Sequence, residues 1–478
     1  MNASPLTAYS SCGLVVGGLQ SSDGKTVITC MLLAALRMRG VPIQPFKAGP
    51  DFIDPGYHSR VSGVASRNLD SWLMGDNGIV DEIAANNRGR VAIVEGVMGL
   101  FDGSDVQSDE GSTVALARLL GWPVVLVVKA SKSGRSLAAA LRGFVQEAGP
   151  DQIAGFILNG VSGDSHAAYL REAIRPVPVP VLGALPFCPE LVWEERYLGL
   201  QASQERDLTS VQQLASLAER YLDISALLEL ADMSKRDRPS SWAAEGYTEE
   251  PSQQNPSKPE SREERSLLAR ETLRIGIARD EAFHFYYQAN LDYLIHAGAE
   301  LVEFSPLHDS ALPTDLDALF LGGGFPEVFA EQLAQNSSMR AEIRSAIGHG
   351  LNCYAECGGL MLLAEELMTI DRKVYPMAGV IPGAVQMSES LKHFGYCVCS
   401  EAERNSDTVF RGHEFHHSLW AGEPEYANLW TVRRKRTGRG RREGFSTENL
   451  HASYVHLHFR TSGAVLRRFL NRTGREAI

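Results

Sequence analysis

The chain has 478 residues, of which 44% are apolar and 22% charged, and a formal charge of −12. That length exceeds one ordinary hydrophobic core and predicts two or three domains. The negative balance excludes a general nucleic-acid binder, and the lack of any apolar run near 18 residues excludes a membrane span. Seven scattered cysteines argue for reduced thiols, and residues 1–11 lack the basic-then-apolar pattern of a signal peptide, so a cytoplasmic protein is expected.

From Gly13 to about Leu230, short apolar runs alternate with longer helical ones. The strand candidates are Leu14–Val16, Val41–Phe46, Val91–Val94, Val124–Val128, Ile153–Leu158 and Val181–Leu185. Between the first two lies Val27–Arg39, with Ile28, Met31, Leu32, Ala35 and Leu36 on a helical period. Apolar strands separated by helices need crossover connections, which predicts an α/β domain with a parallel sheet covered on both faces.

The first strand runs into Gly17-Gly18-Leu19-Gln20-Ser21-Ser22-Asp23-Gly24-Lys25-Thr26, where a helix begins. Backbone N–H groups of Gly18, Ser21, Ser22 and Gly24 can wrap a phosphate, Lys25 can reach the terminal phosphates and Thr26 can ligate magnesium. Five residues separate Gly18 from Gly24, one more than the usual phosphate loop. Glu95 follows the strand Val91–Val94, at the sheet edge where open α/β folds bind ligands, and is a candidate second magnesium ligand. The loop Phe46–His58 carries Lys47, Asp51, Asp54 and His58 among prolines and glycines, and Asp102 follows Glu95 within Met98–Gly103. Turn chemistry alone accounts for single aspartates, but not for this density of functional side chains after a strand.

Residues 233–270 are poor in apolar side chains and rich in proline, serine and charge, the composition of a disordered linker. It separates an expected domain at 1–232 from another at 271–478. The alternation then resumes with Leu273–Ala278, a helix around Phe283–His296, the strands Leu301–Phe304 and Leu316–Leu321, and the helix Met339–Ile347.

The strand Leu351–Ala355 turns at Cys357-Gly358-Gly359 directly into an apolar helix. A cysteine at a strand end and a helix N-terminus sits where dipole and free N–H groups favour the thiolate, and the glycines leave donors for an oxyanion. About a hundred residues on, Ala452–Phe459 alternates like a strand and carries His456 and His458 on one face, either of which can serve as the base. No cysteine or histidine cluster with zinc spacing accompanies them. Between these features, 433–442 holds seven positive charges in ten residues and is expected at a hairpin tip that steers a polycarboxylate substrate.

Three stretches, Phe46–Pro55, Glu95–Gly103 and Ala452–Phe459, together with Leu319–Glu327 and the Cys357 corner, resemble the cobyrinic acid a,c-diamide synthase family. The resemblance covers the chain outside the linker. It implies two three-layer α/β domains with mainly parallel sheets, a P-loop, dethiobiotin-synthetase-like ATP-binding domain followed by a class I glutamine amidotransferase. It implies a ligase that hydrolyses glutamine and passes ammonia to the a- and c-carboxylates of cobyrinate, activated as acyl phosphates, in cobalamin biosynthesis. ATP and L-glutamine are then co-substrates, Mg2+ the cofactor and a tetrapyrrole the substrate; a homodimer is compatible with the sequence.

Carried over by position, Cys357 is the nucleophile and His456 its base, with His458 the alternative. Gly323, Gly324 and Gly358 form the oxyanion hole, and Asp51, Asp54 and Asp102 belong to the catalytic or substrate shell. Where the class often has a glutamate two residues after the histidine, this chain has His458, so a dyad is expected. Ser22 and Lys129 stand where the family usually has glycine and aspartate. Hydrogenobyrinate or nickel-sirohydrochlorin as substrate, and a P-loop regulator with an inactive amidotransferase-like domain, are the competing readings.

Overall fold

The computed structural model describes residues 12–191, 210–233, 272–402 and 408–471. The chain forms two compact units, Met1–Ala244 and Glu245–Ile478. Apart from Met233, the expected linker 233–270 lies outside the described residues. Among the described residues, no helix is long and apolar enough to cross a membrane.

The first unit is built on seven strands: β1 (Cys12–Gly18), β2 (Ile43–Ala48), β3 (Arg67–Leu69), β4 (Val91–Glu95), β5 (Val124–Lys129), β6 (Ile153–Val161) and β7 (Val181–Pro186). They lie in the order β3-β2-β4-β1-β5-β6-β7, and every pairing is parallel. Strands this apolar must be covered on both faces, and two separate hydrophobic layers pack on them. The helix α1 (Lys25–Met38) is buried almost throughout because it crosses the sheet centre under other helices. β2 starts at Ile43 rather than the expected Val41, whose N–H instead bonds back to Leu36 O and closes the end of α1. Register sets Val16 and Lys47 on either side of Glu95, so the C-terminal ends of β1, β4 and β2 meet at one edge. There the chain continues into α1 and into α2 (Asp54–Ser62).

The second unit has a six-stranded sheet in the order Ala299–Phe304, Leu273–Ala278, Ala318–Leu321, Asn352–Glu356, Leu450–Ser453, Phe445–Ser446. All its pairings are parallel except the last. A four-stranded mixed sheet, a five-stranded antiparallel sheet and a two-stranded antiparallel pair complete the described part of the unit.

Two expectations need correction. The helix expected over Phe283–His296 begins at Gln288, and Phe283–Phe285 is a short strand paired with Gly323–Gly324. Two β-favouring aromatics outweigh helical spacing where a glycine strand offers a partner. The run Ala452–Phe459 is not one strand either. Leu450–Ser453 pairs with Asn352–Glu356 and His456–Leu457 with a different sheet, the break falling at Tyr454-Val455.

The helix Gly358–Leu363 crosses the Ala318–Leu321 strand so closely that a Cβ at Gly359 would lie 2.2 Å from the backbone oxygen of Leu321. Gly359→Ala should therefore cost at least about 2 kcal/mol of stability, despite alanine's better helix propensity. A lowered urea midpoint with unchanged slope for the second unfolding transition checks this.

Candidate active site

In the first unit, Gly24 caps α1 at φ 91°, and a Cβ there would lie 2.1 Å from Asn159 Nδ2. That amide donates to Asp23 O at 2.8 Å, so β6 braces the phosphate loop through a side chain that sequence reading did not single out. The first turn of α1 has neither an acidic residue nor a side-chain cap, which leaves its N–H groups to an anion. Lys25 lies across Gly18, its Nζ donating to Gln20 O at 3.1 Å and Met98 O at 2.6 Å. Burial, and then the nearby Lys47 charge, lower its pKa. Ser21 is exposed at the loop's turn. Ser22, held at φ 64°, and Lys129 line a cavity of about 210 Å³ beside the loop, with Asn159, Gly160 and Phe187 among its other walls.

The carboxylates converge on Lys47. Its Nζ lies 2.6 Å from Asp54 Oδ2, 2.9 Å from Glu95 Oε1 and 3.9 Å from Asp51 Oδ2, and donates to Gly96 O at 3.0 Å. Thr26 Oγ1 donates to Glu95 Oε1 at 2.8 Å and to Asp54 Oδ1 at 3.3 Å, and His58 Nε2 lies 2.6 Å from Glu95 Oε2. Burial on its own would lower the Lys47 ammonium, but the charges of Asp54, Glu95 and Asp51 outweigh it and the net shift is upward. One ammonium cannot neutralise three carboxylates. Burial, and then the Asp54 charge, push Asp51 up to about 8, whereas the Lys47 charge overrides burial at Asp54 and holds it well below the usual carboxylate range. Asp51 Oδ1 also accepts the Ile53 N–H at 2.7 Å.

Asp102 does not join this cluster through any described contact. Its Oδ2 accepts the Gly99 N–H at 2.8 Å and braces the turn at Met98, φ 48°, whose carbonyl holds Lys25.

In the second unit, Cys357 stands at φ 50° and ψ −103°, a conformation that costs a non-glycine residue about 1–3 kcal/mol. The surrounding bonds impose it: Cys357 N donates to Ser453 O at 2.7 Å, and the chain turns at once into the next helix. His456 hydrogen-bonds Cys357, and its Nδ1 lies 3.0 Å from Glu356 Oε2. Glu356 Oε1 in turn accepts Tyr354 OH at 2.7 Å and Leu457 N at 3.2 Å. The expected Cys357–His456 pair is thus joined by a carboxylate from the residue before Cys357, not from two residues after the histidine. Alternation along the strand explains how sequence reading passed over it, since neighbours normally face opposite ways. The turn at Cys357 swings the thiol back toward the face where Glu356 meets His456. Burial would lower the His456 imidazole, but Cys357 and Glu356 together raise it to about 10.

His458, the alternative base, packs among other groups. Its ring lies 5.8 Å from that of Tyr287 and 6.4 Å from that of Tyr293, and burial holds its pKa down at about 3. His456 lies within the strand His456–Leu457, whereas His458 falls just past its end. The candidate oxyanion glycines do converge: a Cβ at Gly323 would lie 2.9 Å from His456 Cε1, and one at Gly358 would lie 3.0 Å from the Gly324 nitrogen.

The two halves of the chain match different family models, a CobQ/CobB/MinD/ParA nucleotide binding domain over residues 14–197 and a CobB/CobQ-like glutamine amidotransferase domain over 274–464. Relatives named cobyrinate a,c-diamide synthase align along nearly the whole chain. The protein of Priestia megaterium is 39% identical over 94% of this chain and 94% of its own length. That of Syntrophotalea carbinolica is 39% identical over 96% and 98%, and that of Salmonella typhimurium 38% identical over 95% and 97%.

Glu356→Gln removes the charge that holds His456 protonated while keeping the shape. Because the His456 pKa is raised, the imidazolium persists as pH rises toward about 10 in the native protein. Loss of the charge should lower that pKa, moving the alkaline limb of glutaminase activity to lower pH and cutting kcat by at least about tenfold with little change in the glutamine KM. A pH–rate profile of glutamate release checks both effects.

Proposed function

Because the chain belongs to the cobyrinate a,c-diamide synthase family, we propose that it converts the a- and c-carboxylates of cobyrinate to amides with ATP and glutamine. The observation that carries the reading is a complete thiol triad in one unit together with a phosphate loop abutting a lysine–carboxylate cluster in the other. Cys357 sulfur attacks the glutamine amide carbon. The C–N bond breaks with the nitrogen taking a proton from His456, and water then hydrolyses the thioester to glutamate. Backbone N–H groups at Gly324 and Gly358 are the candidates for the oxyanion, in keeping with their close approach at the thiol turn.

Carboxylates are poor electrophiles because oxide is a poor leaving group. Transfer of the γ-phosphoryl of ATP to a carboxylate oxygen releases ADP and makes an acyl phosphate, from which ammonia displaces phosphate and loses a proton to leave the amide. Lys25 and the first turn of α1 are assigned to the phosphates, and the cavity bounded by Ser22, Asn159 and Phe187 to the nucleotide base. The donors at Thr26, Asp54 and Glu95 are oxygens, the type magnesium prefers. The two carboxylates stand within hydrogen-bond distance of the Thr26 hydroxyl, and these oxygens would hold the ion. Bound there, Mg2+ supplies charge neutralisation on the phosphates. Asp51, the carboxyl pushed up to about 8, is suited to hold or release a proton near neutral pH, while Lys47 keeps Asp54 ionised.

The intact triad weighs against a regulator with an inert second domain. The metal state of the macrocycle is a matter for assay. Purified protein incubated with ATP, magnesium and glutamine should amidate cobyrinate twice, each step lowering the product mass by about one dalton. Cys357→Ala should abolish the glutamine-dependent product by at least about 10³-fold and leave the ammonia-dependent one. Mass spectrometry with hydrogenobyrinate and nickel-sirohydrochlorin in parallel tests the choice of substrate, and no product from any of the three would overturn the reading.

A further inference from the structure

The second unit buries a carboxyl that the reaction above does not use. Glu443 ends the strand Gly440–Glu443, the second arm of the arginine-rich hairpin, and is 1% exposed. Among the described residues it forms no ion pair, because Arg441 on the same strand is bonded to Glu414. Burial pushes the Glu443 carboxyl up to about 8, with the Arg441 charge opposing the shift and the Glu414 charge adding to it. A carboxyl taken out of water without its own cation costs stability, and an apolar side chain of similar volume would ordinarily suit a core better. The hydrogen bonds of Glu443 show why an acid stands there.

At Glu443, which pairs with Trp430, the chain leaves the five-stranded antiparallel sheet, and past Gly444 it enters the six-stranded sheet, where Phe445 pairs with Ala452. It then crosses back, from Ser453 in the six-stranded sheet to His456 in the antiparallel one. The carboxylate at the first crossing bonds the second. Its Oε1 accepts the Tyr454 N–H at 2.6 Å and its Oε2 accepts the Ser453 hydroxyl at 2.8 Å, while Ser453 Oγ accepts the Val455 N–H at 3.0 Å. These N–H groups fall between the two ladders, so Glu443 and the hydroxyl it orients supply their acceptors. Both sides of the thiol site hang on this corner. The Ser453 carbonyl accepts the Cys357 N–H at 2.7 Å, and His456, which bonds the thiol and lies 3.0 Å from Glu356, is the first residue past the crossing. The His416 ring stacks on Tyr454 at 4.0 Å, and the Ser418 hydroxyl donates to Tyr454 OH at 3.1 Å, closing the corner from the other side.

We propose that Glu443 is a positioning residue of the glutaminase site, its carboxylate clamping the Ser453–Val455 crossing so that the Cys357 thiol and the His456 imidazole meet in hydrogen-bonding geometry. It bonds neither group itself and acts through Ser453 and Tyr454. The inference rests on the glutaminase reading above and adds the group that holds its two reacting side chains together. A buried acid of purely structural use would change stability and leave turnover by the folded protein alone.

The test compares the full chain with Glu443→Leu, which nearly keeps the volume and removes both acceptors, and with Glu443→Gln, whose amide keeps an acceptor for the Tyr454 N–H and turns a donor toward Ser453 Oγ. Glutamate release by Glu443→Leu should lose at least about tenfold in kcat, with the glutamine KM within about twofold, because alignment is lost and binding groups are kept. Glu443→Gln should recover to within about threefold of wild type. Ser453→Ala, which deletes one hydroxyl, should lose at least about fivefold in kcat and carries the test if Glu443→Leu does not fold. A smaller loss per folded molecule overturns the proposal, as does Glu443→Gln no more active than Glu443→Leu. Wild type that releases no glutamate would instead overturn the proposed activity. The positioning role is then read without glutamine, from alkylation of Cys357 by iodoacetamide located by peptide mass, whose rate Glu443→Leu should change at least about fivefold. A smaller change there overturns it.

Discussion

One buried ammonium organises the nucleotide end of the first unit. Lys47 is 3% exposed and sits among three carboxylates, and the imbalance of charge makes those carboxylates chemically unequal. Had each acid its own cation, all would be ionised and equivalent. With one cation shared, Asp54 stays ionised and Asp51 is pushed toward neutrality, which yields a charged group and a proton-exchanging group from the same side chain type. The pair remains partly accessible, with 29% of the Asp51 side chain and 20% of the Asp54 side chain exposed, whereas Glu95 and His58 are sealed beneath them. The cluster is thus layered in depth, with Glu95 and His58 buried and Asp51 and Asp54 accessible.

The thiol site solves a different problem. Cys357 must emerge from a central strand whose neighbours are closed on both faces, and the only exit is the strand end. The turn there forces the cysteine into a left-handed backbone conformation and the next glycines into near contact with the Ala318–Leu321 strand and the Gly323–Gly324 pair. Strain of this kind survives only where packing over-determines it, and the helix Gly358–Leu363 is fully buried. The same crowding sets Glu356 against His456. The carboxylate beside His456 therefore comes from the strand that leads into Cys357, and His458, two residues after His456, is a packed core histidine whose pKa burial holds down.

Both units place their chemistry at the C-terminal ends of parallel strands for a common reason. Strands buried on both faces offer polar side chains no other place to meet a ligand. The antiparallel sheet of the second unit is the contrast, and there the rings of Phe394 and Phe415 are exposed in the same sheet as the His456–Leu457 strand.

Much of this was legible in the sequence because it is local. Apolar runs of strand length, Gly24-Lys25-Thr26 after the first of them, Glu95 at the end of another and the Cys357-Gly358-Gly359 corner each show their place in the fold within about ten residues, where periodicity and turn chemistry act. Lys47 and His58 stood in view in the Phe46–His58 loop, but nothing local said that a single cation would serve Asp51, Asp54 and Glu95, which requires the register of β2 against β4. The same holds for Asn159 reaching Asp23 across 136 positions and Glu356 reaching His456 across 100. What distinguishes His456 from His458 is the contact with Glu356 and Cys357, which strand alternation alone does not reveal. Sequence by itself determined which side chains arrive at a strand end, because that follows from short-range sterics and hydrophobic period. Only the tertiary structure decided which of them share a proton or a charge, because pairing depends on register between strands far apart in the chain.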